Sequence, residues 1–416
     1  MIGTESFRHQ LATGNSDRWY HGLLLASILL SLGLGLYQLE TDSLWLDEIT
    51  SALFIRESSL ADVLDNLMGY SDRPLHSSII YLFSFLGRGE FFLRLPSVMA
   101  GIFAIVLVYK VGEAIFGRKE GLVAALLLAL SPLHLYYMQE TRSYALFMAL
   151  SLLTLYCFLQ AWRSGKWLWW ACFALSSILN TYTHYFSIFV LIAELIAGGI
   201  LILFETLSLK GDERWLKKGL WDRQKRRLLG LSLSLLAIAL AFLPSLSHLQ
   251  AFLDKQGGGG ALATGLEPSV TFFVQLLAQL SVGQKAIESI SWILGLLFLF
   301  GLIATGLRRQ IKTLLLVLVW LALPFLVLFV VPSRHFFDIR YVIFILPMFH
   351  LVVARGLIGL GELLAWLPVG TGGFRPMARR AWVIFLPVLV LFTIGPVAEY
   401  YAVEKEDWRA AVNYLK

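Results

Sequence analysis

Apolar residues in this chain come in long runs separated by short polar stretches, a pattern that predicts helices able to cross a lipid bilayer. About 20 mostly apolar residues span the hydrocarbon core. Runs of that kind lie near 22–39, 95–115, 121–138, 144–162, 167–184, 186–205, 229–247, 289–307, 313–331, 341–361 and 381–398, which makes about 11 expected spans. Two shorter amphipathic stretches, 74–87 and 269–282, are either spans or helices lying in the interface. The first run is followed by acidic residues and not by a small-residue cleavage site, so it reads as a retained helix.

Composition makes lipid the solvent. Hydrophobic residues are 58% of the 416 positions and charged residues 15%, against about 45–50% and 25% in soluble domains. The fold class expected is an all-α polytopic membrane protein, one domain over 1–416. Cys157 and Cys172 lie in or beside apolar segments and suggest no disulfide framework.

The net charge of +6 becomes a topology signal once the charges are placed. With the N-terminus in the cytoplasm and both short stretches non-spanning, the cytoplasmic segments hold most of the 34 Lys and Arg. The densest is the basic loop 206–228, with Lys210, Arg214, Lys217, Lys218, Arg223, Lys225, Arg226 and Arg227. The opposite face holds most of the 28 acidic residues. Making one short stretch a span would invert every later loop and put the basic cluster outside, against the positive-inside rule. The expected location is the plasma (inner) membrane, multi-pass, with a long first extracytoplasmic loop over 40–94. No GxxxxGK[ST] and no strand–GxGxxG–helix unit is present, and no cytoplasmic loop is large enough for a nucleotide-binding domain. Sugar or phosphate chemistry then needs a lipid-borne or externally delivered substrate, and nucleic acid is not an expected partner.

Candidate chemistry gathers on the external side. Asp47 and Glu48 follow the first span, where a carboxylate can deprotonate a hydroxyl or hold a divalent cation near a phosphate. The competing reading is a solvated acidic loop. Arg73 precedes Pro74, which suits the first turn of a helix, and a guanidinium there fits a phosphate; lipid headgroups are its rival partner. His76 alone reads as a packed interface residue. Arg94 opens the second span, and Glu140 and Arg142 lie in the turn before the fourth. Charges at membrane depth are costly unless paired or functional, so a Glu–Arg pair holding helices together competes with a substrate role. Arg334, His335, Asp338 and Arg340 precede the tenth span, His184 ends the fifth, and Glu194 lies deep in the sixth. The run Gly257–Gly260 reads as a connector or as a mobile cover.

Together Trp45-Leu46-Asp47-Glu48, Arg73-Pro74-Leu75, Arg94-Leu95-Pro96-Ser97, Phe116-Gly117-Arg118 and Gln139-Glu140-Thr141-Arg142-Ser143-Tyr144 resemble the bacterial relatives of protein O-mannosyltransferases and of the lipid A aminoarabinose transferase, in the GT-C superfamily. The resemblance is strongest over 40–160 and includes Asp407-Trp408-Arg409. It implies an inverting glycosyltransferase using a polyprenyl-phosphate sugar donor, with Asp47 as base and Glu48 beside it. Arg73 keeps the family's cationic position, without its second proline. The expected substrate-binding set is Arg73, Arg94, Glu140, Arg142, Tyr144, His184 and Arg340. Many relatives continue into a soluble external domain after the Asp407 segment; the chain stops at Lys416, so such a domain is expected to be absent or truncated.

The chemistry agrees. A lipid-phosphate leaving group is already a stable anion and needs cations more than a general acid, whereas a glycosidase wants two carboxylates flanking one bond. No cofactor is certain from these residues, and a divalent cation is one the carboxylates leave room for. The acceptor stays open among protein, lipid and polysaccharide. The rival classes are a transporter or lipid flippase, which predicts polar groups spread to the midplane, and a ligase of lipid-linked glycans, which would not need the Asp-Glu pair.

Overall fold

The computed structural model describes residues 3–54, 59–63, 74–207, 214–245, 270–283, 288–330, 338–365, 380–403 and 407–410. Helices are the only regular structure among them. In chain order they are α1 (Gly3–Leu36), α2 (Leu46–Phe54), α3 (Pro74–Ser84), α4 (Glu90–Ile115), α5 (Arg118–Ala129), α6 (Pro132–Met138), α7 (Tyr144–Ser164) and α8 (Trp167–Thr181). There follow α9 (Ser187–Leu207), α10 (Arg214–Phe242), α11 (Val270–Val282), α12 (Glu288–Leu307) and α13 (Ile311–Val330). A 3-10 segment (Ile339–Ile345) then leads into α14 (Leu346–Leu364), and α15 (Trp382–Ala402) closes the bundle.

All eleven apolar stretches are helical over most of their length. Among the described residues, seven helices are long and apolar enough to cross a membrane, or eight if α5 and α6 form one bent span. The chain is therefore a multi-pass membrane protein. The two short stretches form α3 and α11, of 11 and 13 residues, too short at 1.5 Å per residue for a core of about 30 Å.

Two differences from the sequence reading have physical causes. The expected third span breaks after Ala129, and α5 and α6 meet at 64°. Pro132 lacks an N–H and cannot continue α5, while the Ser131 hydroxyl accepts from the His134 N–H and starts α6 afresh. The basic segment 206–228 is not a loop throughout: from Arg214 onward it is helical and runs unbroken into the apolar half of α10. As expected, the segment after α1 carries short helices, α2 and α3.

Core position follows composition. The apolar window of the 3-10 segment and α14 is wholly interior, whereas α1 and α15 bury 22% of theirs and turn leucines and valines outward, toward lipid. α12 and α14 pack with backbones in contact. A Cβ on Gly301 would run into the Val352 carbonyl, and one on Gly356 into that of Leu297. Without a hydrophobic driving force between helices in lipid, such small-residue crossings supply the packing. At the end of the bundle away from α2, buried Arg355 on α14 pairs with Glu120 on α5 at 3.2 Å.

Candidate active site

The site grows from the start of α2. Trp45 is its N-cap position, and Glu48 three residues on accepts the Trp45 N–H at 3.3 Å, the return half of a capping box. Asp47 and Glu48 both sit in the first turn, where the helix dipole favours negative charge. Because they are adjacent on a helix, their side chains leave in different directions.

Glu48 points inward and is fully buried. Its Oε1 accepts from Arg94 Nε at 3.0 Å and from the Thr141 N–H at 2.7 Å; its Oε2 accepts from Arg94 Nη2 at 2.8 Å. Arg94, on α4 and 1% exposed, also donates to the carbonyls of Leu39 (2.8 Å), Asp42 (2.9 Å) and Ser43 (3.1 Å). A guanidinium has five N–H groups, and these contacts use them all. The expectation that Arg94 binds substrate is corrected on that ground: it has no donor left to offer. Glu48, expected at the reacting centre, instead ties α2 to α4 and to the turn before α7.

Asp47 points the other way, its side chain 34% exposed, and accepts from Arg340 Nη1 at 3.0 Å. Arg340 is set by its own neighbour: Asp338 accepts the Arg340 N–H at 3.0 Å, which starts the 3-10 segment, and binds Arg340 Nε at 3.1 Å. The guanidinium lies 5.4 Å from the Tyr341 ring centre. Arg142 reaches the same place from a third segment. Its Nη1 donates to Ser51 Oγ at 3.1 Å and to the Asp47 carbonyl at 3.4 Å, and its guanidinium lies 5.8 Å from the Tyr144 ring centre. Three parts of the sequence thus bring two carboxylates, Asp47 and Asp338, and two guanidiniums to one partly open spot.

Tyr144 and His184 line it. The Tyr144 and His184 rings are 5.9 Å apart, and His184 stacks on Phe147 at 4.5 Å. His184 Nδ1 accepts the Phe186 N–H at 3.2 Å, so in the neutral ring the proton sits on Nε2. Glu140 is fully buried. Arg73 lies outside the described residues, as do Arg334, His335 and Gly257–Gly260.

Sequence reasoning passed over two participants. Ser97 on α4 donates to the Arg142 carbonyl at 3.2 Å and meets His76 Nε2 at 3.2 Å, so α3, α4 and the Arg142 turn share one hydroxyl. Burial, and after it the Arg142 charge, push the His76 imidazole down to about 3. Asp338 was seen only as a member of a charged cluster, although the Asp-x-Arg spacing is that of a capping carboxylate. Among the described residues no group of three or more His, Cys, Asp or Glu side chains is placed to hold a metal ion. The two carboxylates at the spot, Asp47 and Asp338, both bind Arg340, which does not fit a divalent cation.

Solved structures share this helical membrane fold. ArnT from Cupriavidus metallidurans in the apo state superposes with TM-score 0.54 at 14% identity, over 92% of this chain and 72% of that one. The same protein bound to undecaprenyl phosphate gives 0.55 at 14% identity, over 91% and 71%. The archaeal oligosaccharyltransferase AglB from Archaeoglobus fulgidus, in complex with an inhibitory peptide and a dolichol-phosphate, gives 0.58 at 14% identity over 92% of this chain. This chain spans 55% of the length of AglB. Residues 72–248 match the family described as dolichyl-phosphate-mannose-protein mannosyltransferase. Curated protein sequences give no match. The chain shares the helical membrane fold of these solved structures, and its residues 72–248 are similar to the mannosyltransferase family.

Proposed function

We propose that this protein is an inverting glycosyltransferase that moves a sugar from a polyprenyl-phosphate donor to an acceptor hydroxyl at the extracytoplasmic membrane face. The observation that carries the reading is the 3.0 Å contact of Asp47 with Arg340, with Arg142 bound to the backbone of the same residue. A half-exposed base beside two cations is what displacement of a phosphate from an anomeric carbon needs. The undecaprenyl phosphate in ArnT and the dolichol-phosphate in AglB support a lipid phosphate as the anion.

In the proposed step Asp47 takes the proton of the acceptor hydroxyl. The acceptor oxygen forms a bond to the anomeric carbon from the face opposite the phosphate. The carbon–phosphate-oxygen bond breaks, and its electron pair stays on the lipid phosphate, where Arg340 and Arg142 stabilise the charge. Fixed cations aimed at developing charge are worth about 10²–10³ in rate each. In the free enzyme Arg340 neutralises Asp47; when the donor phosphate arrives it competes for that guanidinium and releases the carboxylate to act as base. Arg73, on its sequence position, is a third phosphate contact. Tyr144 and His184 flank the sugar, and the His184 Nε2–H donates to it. Glu48 and Arg94 hold Asp47 in place and touch no substrate. No step is routed through a metal.

The test is transfer of radiolabelled hexose from a polyprenyl-phosphate hexose by purified protein in detergent, wild type against Asp47→Asn. Loss of about 10²–10⁴ in kcat with an unchanged melting temperature is expected. Turnover at the wild-type rate in the variant would remove Asp47 as the base. Donor uptake into liposomes without sugar transfer would replace the enzyme by a transporter.

A further inference from the structure

Asp407-Trp408-Arg409 takes no part in the proposed step, but it touches the support of Asp47. That support begins where α1 ends. Gln38 has φ 56°, a left-handed residue that stops the helix. The last four carbonyls of a helix lack the usual donor four residues on. Here those of Leu34 and Gly35, with that of Tyr37, accept from the Gln139 side-chain amide at 3.3, 3.0 and 2.8 Å. The Tyr401 hydroxyl of α15 also donates to the Leu34 carbonyl, at 2.5 Å. The Tyr400 hydroxyl donates to Gln139 Oε1 at 2.6 Å, which turns the amide N–H groups toward the carbonyls.

The chain beyond α15 holds the next residues. The Trp408 N–H donates to Ser43 Oγ at 3.0 Å, and Arg409 pairs with Glu90 in the first turn of α4 at 2.9 Å. Asp407 starts this helical turn by accepting the Ala410 N–H at 2.9 Å. Ser43 and α4 are already joined by Arg94, whose guanidinium binds both the Ser43 carbonyl and Glu48. Residues 407–409 thus tie the linker to α4 a second time, on the exposed side of the buried pair. These ties fall on residues 34–43, the stretch that leads straight into α2. Core packing explains little of this, since α15 buries only 22% of its apolar window.

We propose that the end of the chain, through Tyr400 and Trp408-Arg409, positions Asp47 for proton transfer. The role rests on Asp47 being the base. These residues touch no substrate. They fix the stretch before α2, and a base must stay within hydrogen-bond reach of the proton it takes. Arg340 is mounted separately on the 3-10 segment. Slackening the brace therefore moves the base and spares the phosphate cation.

The experiment measures transfer of radiolabelled hexose by the purified full chain carrying Tyr400→Phe or Ser43→Ala, each of which removes one hydroxyl. Each should lower kcat about tenfold while KM for the donor stays within about twofold, since a misplacement of about 1 Å costs up to about 10²-fold. In the Asp47→Asn background the same substitutions should cost less than about twofold, because no base remains to be placed. Unchanged kcat in both single variants overturns the proposal. So does a tenfold loss repeated in the Asp47→Asn background (about tenfold being the size of the single effect), or a raised KM with kcat intact. Asp47→Asn turning over at the wild-type rate removes the base itself and the brace with it, so the two failures are told apart. If neither single variant folds, Arg409→Gln, whose side chain is half exposed, should lower kcat about threefold with KM unchanged; an unchanged kcat would end the idea equally.

Discussion

Asp47 and Glu48 are neighbours in sequence and lead into two very different regions. Around Glu48 everything is closed: a buried carboxylate, a buried guanidinium with all five donors used, and the carbonyls of three loop residues. Around Asp47 the same two chemical groups meet in one contact of 3.0 Å, with both side chains partly exposed. The difference separates structure from chemistry. A saturated pair cannot exchange a partner without exposing buried charge, whereas a half-open pair can trade its partner for an anion from outside.

The largest effect is expected from breaking the closed region. Arg94→Ala leaves Glu48 buried and charged, and removal of one partner of such a pair costs about 3–5 kcal/mol. Thermal unfolding in detergent should show loss of the folded state and of transfer activity together; a stable, inactive Arg94→Ala protein would mean that Arg94 belongs to the open region after all. Opening the other pair should do the reverse. Arg340→Ala is expected to lower kcat/KM for the lipid-phosphate donor about 10²–10³-fold while the melting temperature stays near that of the wild type. A variant that melts early but transfers normally would merge the two regions.

Smaller effects come from the residues that join them. His76 is pushed down to about 3 from 6.5, so between those values the unfolded chain binds a proton that the folded one does not. Stability should therefore be level above pH 6.5 and fall as pH is lowered through that window, by as much as about 1.4 kcal/mol per unit. His76→Asn should flatten this slope in melting curves taken from pH 7 to 5. Ser51→Ala removes one hydrogen bond to Arg142 and should cost about 150-fold or less in kcat/KM, since a hydrogen bond to a charged group is worth about 1.5–3 kcal/mol; a larger loss would make Ser51 a substrate contact.

Much of the fold was legible because hydropathy reports burial in lipid directly, and the eleven helical stretches follow from it. The 64° break at Pro132 was not, although Ser131-Pro132 was in view, because apolar composition continues across the bend and says nothing of axis direction. The helical start of α10 was missed for the opposite reason: its basic residues read as loop, yet Lys and Arg are good helix formers. At the site, placing Asp47, Arg142 and Arg340 on one face needed only span counting. That Asp47 touches Arg340, 293 positions away, needed the packing. Nor can sequence tell a saturated arginine from an available one, so Arg94 and Arg340 looked alike.

The 3-10 segment that presents Arg340 kinks at Val342 and leads into α14, whose apolar window is wholly interior. Its guanidinium is therefore carried by a segment rooted inside the bundle, while Asp47 rides on a short nine-residue helix. In the proposed reaction, adaptation to a different nucleophile can proceed by reshaping that helix, residue by residue, with the anchoring point for the departing group left untouched. Changing what departs would require rebuilding the middle of the bundle.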